Sequence, residues 1–288
     1  EINFGSTQDS PSRGKSSASR NVGYVFRARY DYASKYLAEV TGRYDGSYLF
    51  AGSGKRWGLF PSGSVAWRIS QEDFMKDFSF IDDLKIRASV GLLGSATINE
   101  YAFLNLYNLT NTGVLLNGSL NNIVEPGVIA NPDLTWEYSQ EFNIGIEGLF
   151  FNNRLSTELN YFHECRKDII GVNNAQYAAT AGNYTMYENI GQVTNQGIDI
   201  AINWKGNIGR DFLYTVGANM TYSKNKLDKW NEIEGVESYR KAIGRPTSTI
   251  FGLQALGLFG KDIPLEGHSL QSYGIYQNGD IAYADLNN

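Results

Sequence analysis

Val22-Gly23-Tyr24-Val25-Phe26-Arg27-Ala28-Arg29-Tyr30-Asp31-Tyr32, a break at Ala33-Ser34-Lys35, then Tyr36-Leu37-Ala38-Glu39-Val40-Thr41-Gly42-Arg43-Tyr44-Asp45: this stretch alternates twice. In the first run Val22, Tyr24, Phe26, Ala28, Tyr30 and Tyr32 share one face, and Gly23, Arg27, Arg29 and Asp31 share the other. In the second run Tyr36, Ala38, Val40, Gly42 and Tyr44 oppose Glu39, Thr41, Arg43 and Asp45. Successive side chains of a strand point to opposite faces, so a period of two marks a strand with one apolar face. Two such runs joined by a tight turn predict a β-hairpin.

The pattern recurs six times downstream. Apolar positions alternate with polar ones around Val65, Trp67 and Ile69, from Leu84 to Leu92, from Tyr138 to Phe150, from Leu155 to Tyr161, from Ile198 to Trp204, and from Phe212 to Tyr222. That makes about eight strands and no long amphipathic helix. Connections are short at Ala33-Ser34, Gln71 to Asp83, Asn152-Asn153 and Gly206 to Asp211. They are long from Gly46 to Phe60, Ser95 to Glu137, Lys167 to Gly191 and Lys226 onward. These long stretches read as loops without elements of their own, which compact soluble domains rarely carry. Short turns on one rim and long loops on the other are the habit of outer-membrane barrels.

The composition agrees. The chain has 288 residues, 42% hydrophobic and 14% aromatic, with 19% charged against roughly 25% in an ordinary soluble domain. The net charge of −5 leaves no basic footprint for nucleic acid. One cysteine excludes a disulfide framework and a multi-cysteine metal site. No apolar run approaches the roughly 18 residues of a membrane helix, whereas a barrel strand needs only about 9–11. A soluble sandwich also alternates, so the aromatics decide between the two. Tyr30, Tyr32, Tyr36, Trp67, Phe150, Trp204 and Phe212 lie near the short turns, and Tyr24, Tyr44, Tyr138, Tyr161 and Tyr222 toward the other strand ends. Tyr36 to Tyr44 is about 27 Å along a strand and about 21 Å across when tilted by about 40°, close to an apolar band between two aromatic girdles. A sandwich core has no reason to sort its aromatics this way. The opposite face, with Arg27, Arg43, Arg87 and Glu141, is expected to be concave and wet.

Catalytic patterns fail. Gly52-Ser53-Gly54-Lys55 lacks the spacing and the helix of a phosphate loop, and His163-Glu164 lacks the second histidine of a zinc protease. The other histidine, His268, is remote, and Cys165 reads as an inert thiol on the His163 face. No ordered carboxylate pair stands out. No catalytic residue, resident metal or cofactor is assigned. Sequons at Asn108 and Asn117 fit chance in an Asn-rich chain. Asp285-x-Asn287 opens like a calcium loop, but further oxygen ligands and a Gly would be needed. Loop aromatics beside amides (Tyr101, Phe103, Tyr107, Tyr177, Tyr184, Tyr187) suit sugars or peptides as well as loop packing, and Trp230 and Tyr239 are the candidate substrate contacts.

Several segments then resemble one family in order. They are Tyr32-Ala33-Ser34-Lys35-Tyr36-Leu37 with Arg43-Tyr44-Asp45-Gly46-Ser47, and Arg56-Trp57-Gly58-Leu59-Phe60-Pro61-Ser62 leading to Ala66-Trp67-Arg68-Ile69. Leu84 to Gly91, Asn131-Pro132-Asp133-Leu134-Thr135-Trp136-Glu137, Asn189 to Ile198 and Gly279 to Asp285 follow. Together they resemble SusC/RagA-type TonB-dependent transporters. The resemblance implies that residues 1–288 are part of a single 22-stranded antiparallel barrel domain in the outer membrane, with a plug in the lumen. It also implies uptake of an oligosaccharide or peptide, TonB acting through an N-terminal region, a SusD-like surface lipoprotein as lid, and no enzymatic activity. Plug and closing strands are expected to lie outside these residues, whose two ends read as loop and turn. The alternative is a soluble or surface-attached β-rich glycan-binding module; a polysaccharide-degrading enzyme is the third reading.

Overall fold

The computed structural model describes residues 19–284 except 53, 101, 117, 174–184 and 268–273. Ser53, Tyr101, Asn117, Tyr177, Tyr184, His268, Asp285 and Asn287 lie outside the described residues, as does the side chain of Asn108. The chain divides into two units, Glu1–Thr247 and Ser248–Asn288.

In chain order the first unit holds β1 (Asn21–Tyr32), β2 (Tyr36–Ser47), β3 (Trp57–Arg68), β4 (Ile81–Ser95), β5 (Tyr107–Leu116), β6 (Ser119–Pro126), β7 (Val128–Ile129), β8 (Glu137–Phe150), β9 (Leu155–Val172), β10 (Thr185–Ile208) and β11 (Phe212–Lys229). Eight of them form one antiparallel ladder in the order β1-β2-β3-β4-β8-β9-β10-β11, the eight strands read from alternation. The β1–β2 turn places Ala33 and Ser34 at φ 52° and 55°. These are the central residues of the turn that the Lys35 N–H closes on Tyr32 O at 3.0 Å, within a three-residue connection, and positive φ at both matches the hairpin's twist; Asp31 accepts a 2.8 Å bond from the Ser34 N–H.

The long connections depart from expectation. Residues 96–136 are not a loop without elements: β5 and β6 pair as a hairpin, and β7 adds a two-residue parallel bridge to β10. Backbone polar groups in so long an excursion need partners, and strand pairing supplies them. The second unit likewise contains β12 (Ala255–Leu258) paired with β13 (Ile281–Tyr283), within the stretch read as loop. There Phe259 is buried and stacks on Tyr276 with ring centroids 4.2 Å apart.

The register carries the argument about the membrane. Tyr30, Ala38, Val65, Ala88, Ile144, Tyr161, Ile198 and Tyr222 stand opposite one another across all eight ladder strands. The next row on that face is Tyr32, Tyr36, Trp67, Ile86, Ile146, Leu159, Ile200 and Met220. No residue in either row is charged. Val65 and Val216 are 59% and 64% exposed, so nothing in the described chain covers this face. The upper aromatic edge also slants. It starts at Tyr24 and Tyr44 and reaches Tyr222, which lies in the row of Tyr30. Six residues of drift over seven strand spacings is about 20 Å over about 34 Å, an angle of about 30°. Outer-membrane strands tilt by about 35–45°.

At the short-turn rim the aromatic tips are tied down. Glu72 accepts from Lys35 Nζ at 3.0 Å, Tyr36 Oη at 2.8 Å and Trp67 Nε1 at 3.1 Å. These donors, Lys35 foremost, hold the Glu72 carboxyl below its ordinary value of 4.5, and Glu72 in turn raises Lys35. A depressed carboxylate stabilises the fold above its unfolded value, and that contribution is lost as pH falls through the folded value. The raised lysine contributes below its ordinary value and loses that contribution as pH rises through the folded one. The unfolding midpoints of wild type and Glu72→Gln are therefore expected to differ by a constant gap near neutrality. Acid titration should close that gap as pH falls below about 4.5.

Candidate functional site

Opposite the apolar rows lies a face of paired charges. Glu39 on β2 meets Arg27 at 2.7 Å and Arg29 at 2.9 Å, both on β1. Arg43 pairs with Asp45, and Arg68 pairs with Asp83, which also accepts from Ser70 at 2.6 Å. On β8 and β9 two carboxylates, Glu147 and Glu158, stand directly opposite each other. Two cations resolve that conflict. Lys85 reaches Glu147 at 2.5 Å, and Arg87 touches Glu147 at 2.7 Å, Glu158 at 2.9 Å and Asn160 at 2.7 Å. Arg87 Nε faces Glu147 without hydrogen-bond alignment, so that contact is Coulombic. Gly145 makes the reach possible. It lies on β8 between Arg87 and Asn160, where a Cβ would stand 2.2 Å from Asn160 Oδ1 and 3.3 Å from Arg87 Nε. A glycine inside a strand marks a close approach, which is the signal the sequence reading passed over.

Higher on this face is a trough of about 530 Å³ lined by Thr41, Arg43, Ser62, Ser64, Glu141 and Asn143, among others. Arg43 and Glu141 thus face the same recess, as expected for a concave wet side. Its hydroxyls, Asn143 and the charges of Glu39, Arg43, Asp45 and Glu141 can hydrogen-bond a polar solute, beside apolar patches from Phe60, Val90 and Leu92.

The long-loop end is held by a clamp. Phe50, Phe60, Ala102, Leu134 and Trp136 form the buried cluster, with Trp136 centred 5.3 Å from both Phe rings. Asn189 on β10 treats Thr135 as a strand partner, accepting from its N–H and donating to its C=O, each at 3.0 Å, and donating also to Asp168 O at 2.7 Å. Asn131 donates to Tyr187 O at 2.7 Å and accepts from Asp133 N at 2.9 Å. Buried Glu137 pairs with Arg166 and accepts from Ile170 N at 3.0 Å. The segments beginning at Asn131 and Asn189 are thus each other's partners. Sequence showed both but could not join them, because side-chain amides standing in for backbone carry no periodicity.

These two faces meet the comparisons with known proteins. Residues 2–287 match the family model described as TonB dependent receptor-like, beta-barrel. The chain belongs to this family. It is 33% identical over 238 residues to TonB-dependent receptor P39 of Formosa agariphila, covering 82% of this chain and 22% of that protein. It is 31% identical over 218 residues to TonB-dependent receptor SusC of Bacteroides thetaiotaomicron, covering 74% and 21%. The solved RagAB peptide transporter shares the fold at TM-score 0.70 and 23% identity, covering 83% of this chain and 26% of that one. The chain is of the SusC/RagA type, spans about a quarter of the length of the curated relatives it matches, and resides in the outer membrane.

In a TonB-dependent receptor barrel the apolar rows face lipid and the paired charges face the lumen. His163 and Cys165 fall on the lipid side of β9. Tyr107 opens β5 and Tyr187 lies in β10, so neither is a loop residue. Trp230 follows β11, and its indole lies across Gly171 and Gly191, where a Cβ would come within 2.7 Å of the ring. Tyr239 sits in a short 3-10 turn, Ser238–Arg240. Among the described residues no ring contact joins Trp230 and Tyr239.

Proposed function

We propose that this chain is a wall segment of one importer barrel that carries oligosaccharides or peptides across the outer membrane, with a plug and the closing strands supplied by the rest of the protein. The observation that carries the reading is the pair of uncharged eight-strand rows backed by a face of matched ion pairs. A wall with lipid on one side and water on the other needs both. The mechanism involves no bond chemistry. Substrate is held above the lumen and released inward when TonB, engaged through the N-terminal region, rearranges the plug; a SusD-like lipoprotein closes the outer side. SusC as a relative supports the dependence on TonB, and the RagAB peptide transporter as a structural neighbour supports peptides as one of the two substrate classes.

Deleting the parent gene should abolish growth on the transported class in a panel of oligosaccharides and peptides offered as sole nutrient. Undiminished growth on every member of the panel would overturn import. Trp230 and Tyr239 are proposed substrate contacts, and Trp230→Ala and Tyr239→Ala in the full-length protein are each expected to weaken binding of the substrate so identified by about tenfold. Calorimetric titration showing unchanged affinity would remove that residue from the site.

A further inference from the structure

Between β8 and β9 the wet wall sets carboxylates directly opposite each other twice, as Glu147–Glu158 and as Glu141–Glu164. Like charges so placed repel, and a nearby cation relieves them. The first pair has Lys85 and Arg87. The second has no such partner. Glu164 accepts from Ser139 Oγ at 2.6 Å, and Arg166, two residues along the same face, is taken by Glu137. Among the described residues no lysine or arginine lies within ion-pair distance of Glu141 or Glu164.

Glu141 forms one corner of the 530 Å³ trough, a volume within the roughly 300–1,000 Å³ of ligand sites. Two register rows make its floor. One is Ser64, Ser89 and Asn143; the next, toward the long loops, is Ser62, Gly91 and Glu141. Gly91 leaves the middle of the second row empty. The charges across the trough are already matched within the wall, Glu39 by Arg27 and Arg29, and Arg43 by Asp45. The side chains of Ser62, Ser64, Ser89, Asn143 and Glu141 make no hydrogen bond or ion pair among the described residues. The groups left to meet a solute are therefore hydroxyls, one amide and a negative charge. Along β4 the trough runs from Ser89 to Gly94, about 16 Å, the length of about five extended residues. Sugar rings stack on aromatic faces, and the one aromatic side chain lining the trough, Phe60, is only 6% exposed because it packs with Phe50 and Trp136. Leu93, on the same wall, is 51% exposed and offers apolar surface to a side chain.

We infer that this trough is a peptide subsite on the import path and that it selects cationic peptides, with an ammonium at Glu141 and Glu164 and peptide groups on the serines and Asn143. The inference rests on the import reading above. The uncompensated carboxylates favour an ammonium, which peptides carry and neutral oligosaccharides lack.

The test uses the full-length transporter, purified in detergent and titrated calorimetrically with two end-capped pentapeptides of alanine and leucine around one central residue. That residue is lysine in the first and Nε-acetyl-lysine in the second. The lysine peptide is expected to bind about tenfold more tightly, the strength of a charged hydrogen bond. Glu141→Gln/Glu164→Gln removes the repulsion and should bring the two peptides within twofold by weakening the lysine one. Glu141→Asp keeps the charge and should keep most of the preference. Ser89→Leu fills the floor without changing charge and should weaken both peptides about tenfold. Equal affinity of the two peptides for wild type, or an unchanged preference in the glutamine variant, would overturn the inference. So would a transporter that binds neither peptide and imports an oligosaccharide. In each of these cases wild-type growth on the nutrient panel leaves import standing; loss of growth dependence on every member removes both readings.

Discussion

Ile146→Lys in the full-length protein is expected to reduce outer-membrane assembly severely, at a cost of about 2–4 kcal/mol. Ile146 stands in the row between Ile86 and Leu159, with Phe150 four residues away on one side and Phe142 four residues away on the other, so it lies near mid-belt. A lysine there has no partner to reach. The rows above and below are apolar, and the nearest water is beyond a girdle. Asn143→Lys on the opposite face borders the wet trough and should cost no more than about 1 kcal/mol. Urea unfolding of the two variants from lipid vesicles, with outer-membrane yield in cells, separates the faces. The contrast also decides against a soluble glycan-binding module. In such a module exposed Ile146 would be a surface residue, and lysine would leave stability unchanged or improve solubility.

Why so much of the wall was legible is physical. In lipid the backbone must satisfy itself by pairing, and the outward face must be apolar at every strand. Alternation therefore persists from Val22 to Tyr222 with little to obscure it, and the eight strands emerge by counting. The exceptions are local. Residues 96–136 and 248–284 gave no clean alternation, because Val128–Ile129 and Ile281–Tyr283 are too short to show a period of two and the β5–β6 register breaks between Thr110 and Val114. The slant of the girdle was hidden as well. Tyr44 and Tyr222 both read as strand-end tyrosines, and only the register shows them six residues apart along the sheet.

The site was legible in kind but not in partnership. Arg87, Glu147 and Glu158 announce a charged face, yet sequence cannot say that one arginine crosses Gly145 to serve two strands. The strand ends were hidden for a related reason. Lys167 and Lys226 read as the starts of loops, whereas β9 and β11 run on past the belt and carry both on the outward face. Strand length beyond the membrane is set by pairing with the neighbour, which no single strand records.

The second large effect concerns the clamp. Trp136→Ala removes the largest side chain of a cluster with only Phe50, Phe60, Ala102 and Leu134 as its other buried members. Truncating a buried tryptophan costs about 3–5 kcal/mol through lost transfer energy and the cavity left behind. The lost Nε1 bond to Arg56 O, 3.3 Å in the native chain, adds little, because that carbonyl still accepts from Ser47 N at 3.1 Å. The barrel ladder does not depend on this cluster, whose members come mainly from the mouth. The loss should therefore appear as local opening of residues 96–136 rather than global unfolding. Hydrogen exchange in that segment of the full-length protein is expected to accelerate by about a hundredfold or more, while β1 and β2 keep wild-type protection. Trp136→Phe keeps most of the ring contacts and should recover most of the difference. If exchange in 96–136 were unchanged in Trp136→Ala, the asparagine bonds to Tyr187 and Thr135 would be holding the mouth by themselves. If β1 and β2 lost protection equally, the cluster would be part of the wall's cooperative unit. Either result would refute the division proposed here, in which apolar rows set the wall in lipid and a small aromatic cluster sets the loops above it.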